Sequence, residues 1–235
     1  MNKIIIAIDN DECIGSWGDL SMLYSIIKNV LNKNIDDYIN MFINIIDDAK
    51  CIRPYLRNVY DKLIELKEKN IICGIYMCTA ASNISGWVIY LANLLEIWYG
   101  RKIYDKIIDG IIIQNWHIVN GTPCCNQFGY IKDMHMIKNI SGLNDVNIII
   151  IDDKPYNIIN GISIGVTPFE VALNLSEIIK IYFPDDYDFI NEKYDYSISA
   201  NWTNYIFNPH IYTNVDSDKD LETSIELLEQ LIQLN

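Results

Sequence analysis

The sequence predicts an α/β fold built on an open parallel sheet with helices packed against it. Three apolar runs, at residues 3–8, 71–78 and 146–151, have the length and composition of buried parallel strands. The segments between these runs are long and partly helical, which is the pattern of β–α–β units. A polar side chain follows each run, and these are Asp9, Thr79 and Asp152. Because open parallel sheets bind ligands at the carboxyl ends of their strands, we expect these ends to form one site.

The length, composition and charge predict a single globular domain over residues 1–235. Half of the residues are apolar and 21% are charged, which is typical of a folded chain. The 18 basic residues against 31 acidic ones give a net charge of −13, which argues against general nucleic-acid binding and against docking on an anionic membrane. No segment reaches the ~18 consecutive apolar residues of a membrane-spanning helix. Nothing in the sequence predicts an oligomeric state.

Isoleucine and asparagine are unusually frequent, with 47 and 26 copies. We attribute this excess to the codon bias of an A+T-rich genome, such as that of a large DNA virus or a protist, rather than to structure. The bias weakens strand propensity as a guide, because so many of the apolar residues are isoleucine. The six cysteines have no Cys-x-x-Cys spacing, which predicts reduced thiols and an intracellular protein of the cytoplasm or nucleus.

The first half of the chain is predicted to be mainly helical after its first strand. Apolar residues recur at helical spacing over residues 19–48, and we interpret 13–52 as a helical cap or insertion. Arg53 and Pro54 begin another helix, since proline suits the first helical turn. A further helix is expected at 84–99, directly after the second strand.

The second half is predicted to be less regular. We expect a strand pair at 107–119, a loop at 121–126 and a short helix at 132–140 before the third apolar strand. Residues 167–208 are rich in tyrosine, proline and acids, and we interpret them as an irregular surface insertion. Residues 217–233 have the spacing of an amphipathic helix, and the acids at its start suit the helix dipole.

Two pairs of acidic residues are the strongest chemical signal. Asp9 and Asp11 follow the first strand, and Asp152 and Asp153 follow the third. Side chains two residues apart in an extended segment point the same way, so the carboxylates of Asp9 and Asp11 are expected to converge. Like charges this close need a cation or a shared proton. Mg²⁺ prefers oxygen ligands and often lies between carboxylates and a phosphate, so the pairs favour a magnesium site over a solvated acidic turn.

Lys132 and Thr79 are candidates to accompany these acids. The Lys132 side chain would offset their charge and hold a phosphoryl oxygen, and its ordinary alternative is a surface lysine. The Thr79 hydroxyl follows the second strand, where capping of the next helix is an equally good interpretation.

In this order, the segments resemble the motifs of the haloacid dehalogenase-like (HAD) phosphatases. Residues 4–12 (IIIAIDNDE) resemble the first motif and residues 75–81 (IYMCTAA) the second. Lys132 fits the third motif, and residues 148–153 (IIIIDD) fit the fourth.

Within that superfamily, the chain is most similar to the FCP/SCP-like (NLI-interacting-factor-like) branch, typified by phosphatases of the RNA polymerase II C-terminal domain. The branch has an Arg-Pro pair that begins a helix, as at Arg53 and Pro54, and a segment like residues 130–134 (YIKDM). The order and rough spacing of the motifs agree over residues 4–160. The chain departs from the branch at Cys13 and Ala81, where threonine and serine are usual.

The resemblance implies a HAD-like, Rossmann-like catalytic domain and a Mg²⁺-dependent phosphatase. Asp9 would attack phosphorus and form an aspartyl-phosphate, and Asp11 would act as general acid and then general base. Mg²⁺ would be held by Asp9, by the main-chain carbonyl of Asp11 and by Asp153.

The remaining matched residues would bind and orient the phosphoryl group. Thr79 and Lys132 would contact its oxygens, where fixed positive charge stabilises the transition state. Asp152 would orient Lys132 or assist the metal.

The substrate implied by the resemblance is phosphoserine or phosphothreonine of a protein. The alternatives are a small phosphorylated metabolite or nucleotide, and a HAD-fold binding module without catalysis. An insertion that covers the acids would favour small substrates, and an open groove would favour peptides. A local basic strip, expected at Arg53, Arg57, Arg101 and Lys102, would offset the acidic surface toward a phosphorylated peptide.

Overall fold

The computed structural model describes residues 3–81, 83–109, 132–143, 145–171, 173–193 and 218–234, with the backbone of two short strands at 117–119 and 122–124. The strands are β1 (Lys3–Ile8), β2 (Gly74–Cys78), β3 (Lys106–Ile108), β4 (His117–Val119), β5 (Thr122–Cys124), β6 (Lys132–Asp133), β7 (Val146–Asp152), β8 (Ile158–Ile159) and β9 (Ile162–Gly165). The α-helices are α1 (Gly18–Ser25), α2 (Ile39–Asp48), α3 (Leu56–Glu68), α4 (Trp87–Tyr99), α5 (Met134–Ser141), α6 (Leu175–Tyr182), α7 (Tyr187–Lys193) and α8 (Asp220–Leu234).

A five-stranded sheet in the order β3-β2-β1-β7-β9 forms the centre of the molecule, and all of its neighbouring strands are parallel. The predicted α/β fold with an open parallel sheet is therefore confirmed. The chain builds β2 and β3 on one side of β1 and then returns to build β7 on the other side. This reversal makes the carboxyl end of β1 the topological switch point, where sheets of this kind bind ligands.

Alternate side chains of β1 enter two different cores. Ile4, Ile6 and Ile8 join a large cluster that also contains buried residues of helices α1 to α4 and α6 to α8. Ile5 and Ala7 face the other way and pack in a smaller cluster with α5. Helices thus cover both faces of the sheet, which explains why its strands read as continuous apolar runs.

The segment predicted as a helical cap or insertion, 13–52, is helical and belongs to the large core. A π-helical turn at Ile26–Val30 follows α1, and a 3₁₀ turn at Ile35–Tyr38 precedes α2. Leu20 and Leu23 of α1 and Phe42 of α2 are fully buried. The inner faces of these helices are therefore part of the main core.

Two segments of the second half that were predicted to be irregular contain regular structure. Residues 122–124, predicted within a loop, form the second strand of an antiparallel pair with β4. The segment 167–208, predicted as an irregular surface insertion, contains α6 and α7 in its described part, and Phe169, Phe183 and Ile190 are buried. Pro184 misled the prediction because it begins a 3₁₀ turn between two helices rather than an irregular excursion.

In the part of the chain that the structure describes, no helix is both long and apolar enough to span a membrane.

Candidate active site

Asp9 and Asp152 meet at the carboxyl edge of the two central strands. The parallel register places Ile8 of β1 beside Ile151 of β7, so the next residue on each strand is an aspartate. The amide of Asp9 donates to the carbonyl of Ile151 at 2.9 Å, which continues the ladder into the site. Both aspartates are buried, at 5% and 1% exposure. Two acids far apart in sequence are thus adjacent at the switch point.

The Lys132 ammonium lies between these two carboxylates. Its Nζ donates to Asp9 Oδ1 at 2.5 Å and to Asp152 Oδ2 at 2.7 Å. The lysine is itself buried, and it reaches the site because β6 pairs with β8 just before α5 begins. Burial disfavours the charged ammonium, but the two carboxylates together raise the pKa of Lys132 above its ordinary value. Lys132 is therefore a fixed positive charge in the site.

Asp9, Asp152 and Asp153 form a buried group that could hold a metal ion. One carboxylate oxygen from each lies within 4.8 Å of the others. Asp153 Oδ2 is buried and has no hydrogen-bond partner. It lies 2.9 Å from Lys154 Nζ, with which it forms an ion pair. Buried carboxylate oxygens in this state are ready ligands for a hard divalent cation.

Burial raises the pKa of Asp9 well above its usual value, although Lys132 acts in the opposite direction. Asp152 and Asp153 add to the increase because they are nearby negative charges. A carboxylate in this position needs neighbouring cations to remain ionised, as a nucleophile must be.

Asp11 lies in the turn that follows β1, and its side chain is only partly buried. Burial, followed by repulsion from Glu12, raises the pKa of Asp11 to about 6, while Lys132 and Lys154 act to lower it. A carboxyl group with a pKa near 6 carries a proton far more often than an ordinary aspartate at the same pH. Asp11 therefore suits proton transfer more than permanent charge.

The turn that contains Asp11 has a strained residue, Glu12, and is stabilised by hydrogen bonds from other segments. Glu12 adopts a left-handed conformation with φ +62°, which is unfavourable for a residue other than glycine. Its carbonyl accepts a hydrogen bond from the amide of Phe169 at 2.7 Å, and the Trp17 indole donates to the carbonyl of Asn10 at 3.1 Å. The structure around the turn thus fixes its conformation.

Thr79 lies at the same edge of the sheet, directly after β2, and is buried. Its Oγ1 accepts a hydrogen bond from the amide of Ala81 at 3.0 Å. The hydroxyl therefore stabilises the turn that follows the strand, but it does not cap the next α-helix, whose N-cap residue is Gly86. This contact leaves the hydroxyl proton available for another acceptor.

The prediction of a basic strip was wrong for Arg53. Arg53 is 1% exposed and cannot contact a substrate. Its Nη1 donates to the carbonyl of Cys13 at 2.8 Å, its Nη2 donates to the carbonyl of Thr167, and its Nε pairs with Asp218 at 3.0 Å. Arg53 thus connects the turn after β1 to the residues before α8.

Sequence reasoning missed two residues at the rim of the acid cluster. Lys154 Nζ contacts Asp153 and also Glu12 Oε2, at 3.2 Å. Neither Glu12 nor Lys154 has a role of its own in the sequence prediction. The signal for Lys154 was present, because it is the basic residue directly after the Asp152–Asp153 pair.

No protein-family model matches the chain, and no curated protein sequence matches it significantly.

Proposed function

We propose that the protein is a Mg²⁺-dependent phosphatase of phosphate monoesters that uses Asp9 as its nucleophile. The observation that carries the proposal is the buried arrangement of Asp9, Lys132, Asp152 and Asp153 at the switch point of the sheet. Nucleophile, fixed cation and metal ligands are the groups that phosphoryl transfer requires in one place. The HAD-type motifs supply the same assignment from the sequence.

The donor set fits magnesium. The described part of the site contains two lysines and five carboxyl groups, which are those of Asp9, Asp11, Glu12, Asp152 and Asp153. All candidate ligand atoms are oxygens, which Mg²⁺ prefers over nitrogen or sulfur. Asp9 and Asp153 would hold the ion with the carbonyl of Asp11, and Asp152 is close enough to assist. When bound, the ion would neutralise charge on the phosphoryl oxygens and on the acids.

The protein's own groups then have separate tasks. The free Oδ of Asp9 attacks phosphorus, while Lys132 holds the other oxygen and attracts the phosphoryl group. Asp11 donates a proton to the leaving oxygen and later takes one from the water that hydrolyses the aspartyl-phosphate. Asp152 keeps Lys132 in place through its 2.7 Å hydrogen bond. Thr79 offers a hydroxyl donor to a phosphoryl oxygen.

Phosphoserine and phosphothreonine side chains of proteins are the substrates that we propose, because the FCP/SCP-like branch is the nearest resemblance. Small phosphorylated metabolites and nucleotides are the competing class. A panel of phosphopeptides and small phosphate esters, compared by kcat/KM, distinguishes the two.

Hydrolysis of p-nitrophenyl phosphate with MgCl₂ or with EDTA tests the proposal. The wild-type protein should hydrolyse p-nitrophenyl phosphate only when Mg²⁺ is present. The Asp9→Asn substitution should lower kcat by roughly a thousandfold or more. Asp61→Asn removes a carboxylate from the exposed face of α3 and should match the wild type. Equal rates for wild type and Asp9→Asn would overturn the assignment of Asp9. Absence of turnover with Mg²⁺ would favour a non-catalytic binding module.

A further inference from the structure

We infer that Lys154 is a tethered counter-ion that neutralises Asp153 in the metal-free protein and is displaced when a divalent cation binds. The inference rests on the proposed metal site and assigns different tasks to the two lysines of the acid cluster. Lys132 stays in place in both states. Lys154 competes with the metal and so sets its affinity.

Lys154 and Asp153 form an ion pair. The two charged atoms are 2.9 Å apart, but Asp153 Oδ2 has no hydrogen bond. The Asp153 side chain is 2% exposed, whereas the Lys154 side chain is 46% exposed. A lysine with a half-exposed side chain therefore neutralises a buried carboxylate.

Lys132 is held in a different way. It makes two charge-assisted hydrogen bonds, to Asp9 and Asp152, and its side chain is 7% exposed. Removing it would break both bonds and leave two carboxylates buried without their cation. Lys154 can leave when a divalent cation replaces it on Asp153, because its side chain is 46% exposed and its other ionic partner among the described residues, Glu12, is at the rim.

The backbone of Lys154 stays fixed while its side chain moves. Its amide donates to Asp152 Oδ1 at 2.7 Å, and Pro155 then begins a 3₁₀ turn. A divalent cation on Asp9, Asp152 and Asp153 would repel the ammonium that shares Asp153. Displacement therefore requires only side-chain rotation toward Glu12 and solvent.

Metal affinity of a charge-removing variant is the first test. Lys154→Met should bind Mn²⁺ about fivefold more tightly than wild type, because a competing partly exposed ion pair is removed. Binding is followed by EPR of free Mn²⁺, with MgCl₂ as competitor. Lys69→Met is the matched control, since Lys69 is ion-paired to Glu65 at the end of α3. Equal or weaker binding by Lys154→Met would overturn the inference.

Labelling of lysine amines in the wild-type protein is the second test, and it separates displacement from a general change of charge. The protein reacts with a succinimidyl ester, with and without MgCl₂ at matched ionic strength, and mass spectrometry quantifies each site. Lys154 labelling should increase about threefold with MgCl₂ as its ion pair opens. Lys132 should stay protected, and Lys69 should be labelled equally in both conditions.

The possible failures are distinguishable. Unchanged Lys154 labelling in a protein that binds Mn²⁺ overturns the displacement of Lys154 and leaves the proposed function standing. Absence of Mn²⁺ binding by wild type overturns the metal site, and with it both the proposed function and this inference.

Discussion

Lys132 is the residue on which the metal-free site depends most. Its ammonium is the one hydrogen-bonded cation between Asp9 and Asp152 among the described residues. A buried ion pair adds little net stability when it is complete, but removal of one partner leaves an unpaired buried charge. Lys132 therefore neutralises much of the negative charge of these two buried carboxylates.

Lys132→Met should lower the free energy of unfolding by about 3–5 kcal/mol in EDTA, because it leaves Asp9 and Asp152 buried without a cation. Urea denaturation measures the change. Lys33→Met is the control: its ion pair with Asp186 is about one-third exposed and should cost about 0–1 kcal/mol. A similar small loss for Lys132→Met would mean that Lys132 is not the counter-ion of these acids.

The effect of Asp11→Asn on turnover should depend on the basicity of the leaving group. An alkyl phosphate leaves as a strong base and needs a proton from Asp11, whereas p-nitrophenolate leaves without one. We expect kcat to fall about a hundredfold or more for an alkyl phosphate and much less for p-nitrophenyl phosphate. Steady-state kinetics with both esters measures the ratio. Equal losses for the two would exclude Asp11 as the general acid.

At the scale of elements, the sequence predicted the strands that carry the site. It did not predict the long-range contacts that stabilise the surrounding turns. Runs of isoleucine that end in Asp9 and Asp152 indicate buried strands, because both faces of the sheet are covered. Arg53 looked like a surface cation because nothing near it in sequence explains its burial. Its ionic partner Asp218 is 165 residues away.

Arg53→Met should destabilise the protein by about 3–5 kcal/mol, since Asp218 would remain buried without its cation. The loss of local stability should be largest where Arg53 joins α8 to the turn after β1. Amide hydrogen exchange should therefore accelerate in α8 before it does in β1. Arg101→Met removes an exposed pair with Glu68 and serves as the control. Unchanged exchange in α8 would show that Arg53 does not anchor that helix.

The loop predicted at 121–126 was wrong because residues 122–124 form β5. Residues 117–119 lie within a predicted strand pair and form β4, but Pro123 in β5 favours a loop. A proline is tolerated there because β5 pairs with β4 alone among the described residues and so lies at an edge. Propensity alone could not make that distinction.

At the scale of the whole molecule, the net charge of −13 gives the acid cluster a general affinity for cations. The buried position of the cluster, its pairing with Lys132 and the rim contact of Lys154 depend on the fold and could not be predicted from charge. The order of the motifs predicted which residues belong together. The distances between them came only from the structure.

MgCl₂ should therefore stabilise the whole protein by specific binding and not only by screening. At a concentration one hundred times Kd, the expected gain is about 2.7 kcal/mol, or several degrees in Tm. Thermal denaturation with NaCl at matched ionic strength removes the screening contribution. Asp153→Asn should abolish the specific shift, and Asp185→Asn, at an exposed acid, should keep it. Equal shifts with NaCl and MgCl₂ would contradict a metal site.

The most direct test of the central claim is to trap the phosphorylated enzyme. Protein mixed with substrate and MgCl₂ is quenched in acid and reduced with borohydride, which converts an acyl phosphate of aspartate to homoserine. We predict homoserine at position 9, detected by peptide mass spectrometry, only when Mg²⁺ and substrate are both present. Turnover without homoserine at position 9, or with the modification at another aspartate, would contradict Asp9 as the nucleophile.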